Sequence, residues 1–291
     1  MSTKHVDLSA GRIKYSDTGE GPPIVFVHGL FNDGRLWSEV IPALEGSFRC
    51  IAPDWPLGSH TIPMNPDADL SPPGVARLIG ELLEALDLDG VTLVANDTGG
   101  ALTQILLAGN PARVGRVVLT PCDCFDNFLP PMFRPLSLLA KVPPLLTALL
   151  QPLRLRPLRR LPNAFGWLSK RPLPKDVSDG FVRPFFSRRE IRRDTAKLLA
   201  GIDSRHTQEA AERLGSFDRP VLIAWAPEDR FFPLEHAKRL AGILPDARVV
   251  EIADSWTYVP VDQPERTAEL IREHAGAGAS APSAAPERAS A

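Results

Sequence analysis

The stretch Leu93-Val94-Ala95-Asn96-Asp97-Thr98-Gly99-Gly100 decides the fold of this chain. Its first half is a short apolar run typical of a buried strand, and the residues that follow it have helical spacing. A sharp turn from strand to helix accepts only small neighbours, which Ala95 and Gly99 provide, and it leaves the central side chain strained and exposed. The stretch therefore predicts a reactive carboxylate at Asp97. A carboxylate near a helix N-terminus is also favourable without any catalytic role.

Length and composition indicate a soluble globular protein with one large domain. The 291 residues are 44% hydrophobic and 23% charged, and the formal net charge is −2. The N-terminus lacks the apolar segment of a secretory signal, and no apolar run reaches about 18 residues. We expect a cytoplasmic protein with a small-molecule substrate, no nucleic-acid partner and no stable membrane insertion. No pattern in the sequence specifies an oligomeric state.

The three cysteines, Cys50, Cys122 and Cys124, are too few for a disulfide framework. Reduced thiols are expected in a cytoplasmic protein. Cys122-Asp123-Cys124 is too closely spaced for a zinc site and has no second ligand pair. We therefore expect neither a metal nor a cofactor.

Strand and helix patterns alternate along most of the chain, which predicts a mostly parallel sheet covered on both faces. Strands are predicted at residues 5–8, 13–17, 24–27, 48–52, 91–94, 114–119, 221–225 and 248–252. Helices are predicted at residues 36–44, 73–86, 101–108, 234–243 and 264–273. We expect a core domain at 1–128 and 215–275, a helical cap at 129–214 and a disordered tail at 276–291.

The predicted cap is rich in proline and leucine and holds 17 Lys or Arg against 7 Asp or Glu. Its apolar residues suggest the roof of an apolar pocket, although core packing would explain them equally well. Its positive charge could attract anionic substrates or contact an acidic membrane or protein surface. Solvated arginines on amphipathic helices would give the same composition.

Four features in this order resemble the α/β-hydrolase fold: His28-Gly29, the turn at Asp97, the loop Ala226-Pro227-Glu228-Asp229 and the segment 254–264. The resemblance covers residues 5–275 and implies a mostly parallel eight-stranded sheet with helices on both faces and a cap inserted after strand 6. It implies that Asp97 is the nucleophile and that the backbone N–H groups of Leu30 and Thr98 form an oxyanion hole. His28 and Phe31 would line the pocket, with His28 ordering its loop.

The resemblance also implies a triad acid and a histidine, and only the acid is in place. Asp229 follows the strand at 221–225 and would orient the histidine. Asp123 and Asp126, after the sixth strand, are the alternative acids and could face the pocket. The position expected for the catalytic histidine, seven residues before Pro264, is Thr257.

An Asp nucleophile resembles the haloalkane dehalogenase and epoxide hydrolase group. Dehalogenases carry a Trp after the nucleophile and often an Asn after His-Gly, and here those positions are Thr98 and Leu30. Epoxide hydrolases use two cap tyrosines, whereas Tyr15 and Tyr258 both lie outside the predicted cap. Tyr258 could still donate a proton from the core.

A threonine hydroxyl cannot act as the base that activates water, so another residue would have to replace the histidine. His60, in the loop after the fourth strand, is the first candidate, because ligands gather at the carboxyl ends of parallel strands. His206 and His236 are weaker candidates, and each of the three could instead be a surface or capping residue.

Three functions remain open from the sequence. The first is a hydrolase that acts on a small apolar substrate through Asp97 with an atypical or missing base. The second is a non-hydrolytic lyase, isomerase or cyclase, for which Thr257 is no defect. The third is a ligand-binding pseudoenzyme.

Overall fold

The computed structural model describes residues 2–277, and the predicted tail therefore lies, apart from Gly276 and Ala277, outside the described residues. Eight strands form one sheet in the order β1-β2-β4-β3-β5-β6-β7-β8. Their bounds are β1 Ser2–Leu8, β2 Gly11–Thr18, β3 Pro23–Val27, β4 Arg49–Pro53, β5 Val91–Asp97, β6 Val114–Cys122, β7 Val221–Trp225 and β8 Ala247–Glu251.

Only β2 runs against the other strands, since it pairs antiparallel with both β1 and β4, and every remaining pair is parallel. The mostly parallel eight-stranded sheet predicted from the sequence is thus confirmed. Every residue of β5 and of β7 is buried, as expected for central strands covered on both faces. The carboxyl ends of β3 and of β5 to β8 meet at one edge, where ligands gather in such sheets.

Ten helices accompany the sheet in the described residues. They are α1 Pro72–Ala85, α2 Thr98–Gly109, α3 Arg134–Ala140, α4 Pro143–Leu150, α5 Lys175–Ser187, α6 Arg189–Gly201, α7 Ser204–Arg213, α8 Leu234–Ile243, α9 Val259–Asp262 and α10 Pro264–Gly276. Helices α3 to α7 all lie between β6 and β7, within the range predicted as a cap. Among residues 2–277, no helix combines the length and apolar character needed to cross a membrane.

The helix predicted at residues 36–44 is wrong. The chain forms two short 3-10 helices instead, Gly34–Trp37 and Ile41–Ala43. Pro42 lies within the predicted span and lacks the backbone N–H that an α-helix interior needs, so the helix cannot continue through it. The apolar spacing still indicated the correct inward face, because Leu36, Trp37 and Ile41 are buried.

Candidate active site

Asp97 stands at the sharp turn between β5 and α2. Its backbone is in a strained conformation, with φ 54° and ψ −133°, and the pairing of β5 with β6 shifts register between Ala95 and Asp97. A Cβ atom on Gly99 would lie 2.4 Å from the carbonyl oxygen of Val27, so only glycine fits there. The crowding inferred from the sequence is therefore present. Asp97 is only 8% exposed, however, because it opens into a covered cavity rather than to bulk solvent.

The loop after β3 lies directly against the Asp97 carboxylate. A Cβ atom on Gly29 would be 2.3 Å from Asp97 Oδ2, so this contact also depends on glycine. The N–H of Leu30 bonds to no acceptor within residues 2–277, and the N–H of Thr98 is in the first turn of α2, where N–H groups have no helical partner. Both donors are therefore available to an oxyanion, and the Thr98 N–H also favours the charged form of Asp97.

His28 orders this loop, as the sequence suggested. Its Nδ1 lies 2.9 Å from the carbonyl oxygen of Gly29, and its Nε2 accepts a 2.9 Å hydrogen bond from the N–H of Trp55. Both ring nitrogens are thus occupied by the backbone. Burial lowers the pKa of His28 and keeps the ring neutral, so His28 has no free nitrogen with which to act as a base.

Asp229 and Thr257 form a direct pair. Asp229 Oδ1 accepts hydrogen bonds from the N–H groups of Phe231 (2.7 Å) and Phe232 (2.8 Å), and Oδ2 accepts one from the Thr257 hydroxyl at 2.9 Å. Burial raises the pKa of Asp229 to about 6, against these hydrogen bonds. The Thr257 hydroxyl therefore occupies the position beside the Asp229 carboxylate where a histidine would stand if Asp229 oriented one.

Two buried asparagines that sequence reasoning missed brace this region. Asn96 Nδ2 donates to the carbonyl oxygen of Thr257 at 2.7 Å and to Thr120 Oγ1 at 2.8 Å, which ties the loop after β8 to the sheet. Asn32 Oδ1 accepts a 3.1 Å hydrogen bond from the Tyr258 hydroxyl. Successive side chains of a strand point to opposite faces of the sheet, so the side chain of Asn96 leaves β5 on the face opposite that of Asp97. This alternation was the sequence signal that could have identified Asn96.

Burial raises the pKa of Asp97 to about 7, and the negative charge of Asp229 adds to the effect. Asp123 is fully buried on the far side of Thr98, whose hydroxyl donates to Asp123 Oδ2 at 3.2 Å. Burial and the charge of Asp97 raise the pKa of Asp123 well above its ordinary value. Asp123 is absent from the described residues that line the cavity next to Asp97.

A cavity of about 450 Å³ opens above Asp97, between the sheet edge and the helices that follow β6. Asp97 is the single ionisable side chain in its lining, as far as the described residues go, and Thr98 and Asn163 are the other polar residues there. The remaining lining is Leu30, Phe31, Leu129, Pro130, Met132, Phe133, Pro135, Leu136, Leu149, Leu150, Pro152, Leu153, Leu158, Leu161, Ala164, Phe165, Leu168, Phe231 and Phe232. The site suits an apolar ligand whose reactive atom meets one carboxylate.

Several predicted residues lie elsewhere. His60 is buried and its Nε2 faces Asp194 Oδ2 at 3.3 Å, so its placement does not support a role as the missing base. Asp126 is exposed, contrary to the expectation that it could face the pocket, because the chain turns outward after Phe125. His206 lines a separate cleft between α1, α2 and α7.

His236 and Tyr258 were also candidates. His236 packs its ring against Phe125 and is absent from the lining of the cavity. Tyr258 is fully buried, and the charge of Asp97 contributes to raising the Tyr258 pKa well above its usual value. Tyr258 is thus near Asp97, but its hydroxyl proton is committed to Asn32.

The sequence of this chain is similar to those of known α/β hydrolases. The family model described as the alpha/beta hydrolase fold matches residues 22–258. Haloalkane dehalogenase 2 of Mycobacterium tuberculosis H37Rv is 28% identical over 290 residues, covering 95% of this chain and 96% of the relative. The cis-3-alkyl-4-alkyloxetan-2-one decarboxylase of Xanthomonas campestris pv. campestris is 28% identical over 296 residues, covering 94% of this chain and 95% of the relative.

Among solved structures, haloalkane dehalogenase DbeA from Bradyrhizobium elkani USDA94 superposes with a TM-score of 0.76 at 21% identity, over 95% of this chain and 99% of that one. At that identity the likeness concerns the fold. The family match, the sheet order and the strained turn at Asp97 agree, and the chain belongs to the α/β-hydrolase fold family.

Proposed function

We propose that this protein is an enzyme that uses Asp97 to attack an electrophilic carbon of a small apolar substrate, a haloalkane or an epoxide. The placement of Asp97 supports this proposal most strongly. It stands at the strained turn, and it is the one ionisable group that the described residues contribute to the largely apolar lining of a cavity of about 450 Å³. An apolar wall binds an alkyl chain by removing it from water. It also leaves the carboxylate poorly solvated, which favours its reaction with carbon over its hydration.

The first half-reaction needs only residues that are present. An Asp97 carboxylate oxygen forms a bond to the substrate carbon, and the bond from that carbon to halogen or epoxide oxygen breaks, with its electron pair leaving on the halide or alkoxide. The product is an alkyl ester of Asp97. Since attack needs the ionised carboxylate, the raised pKa of Asp97 sets the pH at which this step begins.

The second half-reaction is the slow one. Water must attack the ester carbonyl, whose oxygen would gain charge opposite the N–H groups of Leu30 and Thr98. We propose that Asp229 takes the water proton through the Thr257 hydroxyl, which already donates to it at 2.9 Å. A carboxylate with a pKa of about 6 that acts through a hydroxyl is a weaker base than a directly placed imidazole. The ester is therefore expected to accumulate.

A second candidate is a reaction that never requires water. The Xanthomonas relative carries the name of a decarboxylase of 3-alkyl-4-alkyloxetan-2-ones, which are apolar rings with two alkyl chains. If Asp97 opened such a ring at its alkyl carbon, loss of CO₂ from the freed carboxylate would form the alkene and release Asp97. No base is needed at position 257, and the largely apolar lining of the cavity suits two alkyl chains.

Isotope labelling at Asp97 tests the hydrolytic proposal. The protein is incubated with a bromoalkane or a terminal epoxide in ¹⁸O water, and the Asp97 peptide is analysed by mass spectrometry beside an Asp97→Asn control. We expect an alkyl adduct on Asp97 first and ¹⁸O in its carboxylate after release. Turnover without either label contradicts the ester route. Alkene and CO₂ from a dialkyl oxetan-2-one, without ¹⁸O at Asp97, would favour the second candidate, and ligand binding without turnover that survives Asp97→Asn would overturn both.

A further inference from the structure

Large exposed hydrophobic side chains cluster on the cap. In the part of the chain that the structure describes, every large hydrophobic residue that is strongly exposed falls between residues 132 and 161. They are Met132 (43%), Leu138 (66%), Val142 (49%), Leu145 (51%), Leu149 (46%), Leu155 (61%) and Leu161 (43%). Scattered exposed leucines are common in soluble proteins, but a cluster confined to one short segment marks a binding surface.

This apolar segment lies within a purely cationic part of the chain. Residues 127–175 contain nine Lys or Arg and no Asp or Glu. Seven of the nine are exposed, namely Arg134, Lys141, Arg154, Arg156, Arg160, Arg171 and Lys175. Within residues 2–277, Arg134, Lys141, Arg160 and Lys175 form no ion pair, although Asp179 pairs with Arg156 and Arg159. The surface is thus apolar and positively charged, and a complementary surface is apolar and anionic.

Part of the same surface lies at the entrance to the Asp97 cavity. Met132, Leu149 and Leu161 are strongly exposed and also line the cavity, so they form its rim. A second cleft of about 520 Å³ shares Phe165 with the cavity, and the described residues that line it include six cationic side chains and no acidic one. Its cations are Arg156, Arg159, Arg160, Lys170, Arg171 and Lys175.

We propose that the cap face formed by residues 132–175 docks on an anionic phospholipid surface. The exposed leucines would enter the acyl boundary, the arginines and lysines would contact phosphate headgroups, and the cavity entrance would face the bilayer. An apolar substrate dissolved in the membrane would then reach Asp97 without crossing water. This inference goes beyond the proposed function and does not depend on it, because docking requires no chemistry at Asp97.

Vesicle co-sedimentation tests the proposal on the full-length protein. Vesicles of phosphatidylcholine alone are compared with vesicles rich in phosphatidylglycerol, at low and high salt. We expect binding to the anionic vesicles, weakened by salt, and unchanged binding by Asp97→Asn. The apolar variant Leu138→Ser/Leu145→Ser/Leu155→Ser should weaken binding at least about 100-fold, from the apolar area that no longer enters the bilayer.

A pair of charge variants supplies the matched control. Lys141→Gln/Arg160→Gln should weaken binding about 25-fold, from about fivefold for each cation near an anionic surface. Lys238→Gln/Arg248→Gln removes the same charge from exposed positions outside the cap and should leave binding nearly unchanged. Thermal unfolding of each variant shows that loss of binding is not loss of fold.

Three results would overturn the proposal: no binding to the anionic vesicles, equal binding to neutral vesicles, or equal losses in the two charge variants. Sedimentation velocity of the protein without lipid tests whether this face instead forms a dimer interface. If the protein forms a dimer that the leucine variant converts to a monomer, and it does not bind vesicles, the face belongs to a second copy of the chain and not to a membrane.

Discussion

If Asp97 forms an ester as proposed, replacing Thr257 with histidine should accelerate the hydrolysis of that ester. The Thr257 hydroxyl lies 2.9 Å from Asp229 Oδ2, so we expect an imidazole on the same Cα to donate to that carboxylate. Its other nitrogen should then face Asp97, whose pKa the charge of Asp229 already raises. A positioned general base contributes about 10²–10⁴-fold to such a step, or about 3–5 kcal/mol of barrier. We therefore expect release of the Asp97 ester to accelerate by at least about 100-fold.

The substitution carries a packing cost that the fold can accept. Thr257 is fully buried, and a larger side chain there should cost about 1–3 kcal/mol of stability. The backbone at this position is held independently of the side chain, because Asn96 donates to the Thr257 carbonyl oxygen. A domain with stability of about 5–15 kcal/mol remains folded after such a loss.

The assay is a single-turnover experiment followed by intact-mass spectrometry. Enzyme in excess is mixed with a bromoalkane, and the alkylated and free forms are quantified over time for Thr257 and Thr257→His. Two controls isolate the cause. Thr257→Val removes the hydroxyl with little change in size, and it should slow the release seen in the parent. Thr257→His with Asp229→Asn keeps the imidazole but not the carboxylate that orients it, and it should lose most of the gain.

The reasoning is refuted if folded Thr257→His releases the ester no faster than the parent. It is equally refuted if the parent, with threonine in place, already turns over as fast as the histidine variant. A gain that survives Asp229→Asn would show that the imidazole acts without the orientation proposed here.

Three other predictions concern Asp97 and its turn. Because the proposed attack needs the ionised carboxylate, the rate of adduct formation should fall about tenfold per pH unit below the Asp97 pKa of about 7 and level off above it. Quenched-flow mass spectrometry measures this rate, and a flat profile from pH 5 to 8 would contradict the assignment. Between about pH 4 and 7, Asp97 keeps its proton in the folded state and loses it in the unfolded state. The contribution of Asp97 to the free energy of unfolding therefore falls as the pH rises through that window. Asp97→Asn should therefore raise the free energy of unfolding by about 2–4 kcal/mol at pH 8 and by little at pH 4. Thermal or urea unfolding measures this, and equal gains at both pH values would contradict the raised pKa of Asp97. Gly99→Ala places a Cβ 2.4 Å from the Val27 carbonyl oxygen and should cost about 3 kcal/mol or more, whereas Gly109→Ala, with open space around its Cβ, should cost nothing measurable in the same experiment.

The fold was largely predictable because strand and helix periodicity is strong where elements are buried on defined faces. All eight strands and four of the five core helices lie within a few residues of their predicted positions. The helix predicted at 36–44 was wrong because the prediction gave the apolar spacing more weight than Pro42. Two short 3-10 helices bury the same apolar side chains.

The site was predictable only where spacing along the chain is tied to the fold. The position of Thr257 beside Asp229 followed from its distance to Pro264, and the contact at 2.9 Å agrees. His60 could not be placed this way, because its partner Asp194 comes from α6, more than 130 positions along the chain, and no local pattern signals that pairing. The exposure of Asp126 depends on a single turn in the loop after β6 and was equally out of reach.

The buried acid Asp123 would respond to a loss of charge at Asp97. Asp123 Oδ1 has no hydrogen-bond partner among residues 2–277, and burial together with the negative charge of Asp97 raises the pKa of Asp123. An alkyl ester at Asp97 carries no charge, so its formation removes that electrostatic restraint and lowers the pKa of Asp123. Burial, which is the larger cause of the raised pKa, stays in place, so ester formation and ester release would each change only how tightly Asp123 holds its proton. A change of charge in the cavity would thus reach a buried acid that is absent from the described lining of that cavity.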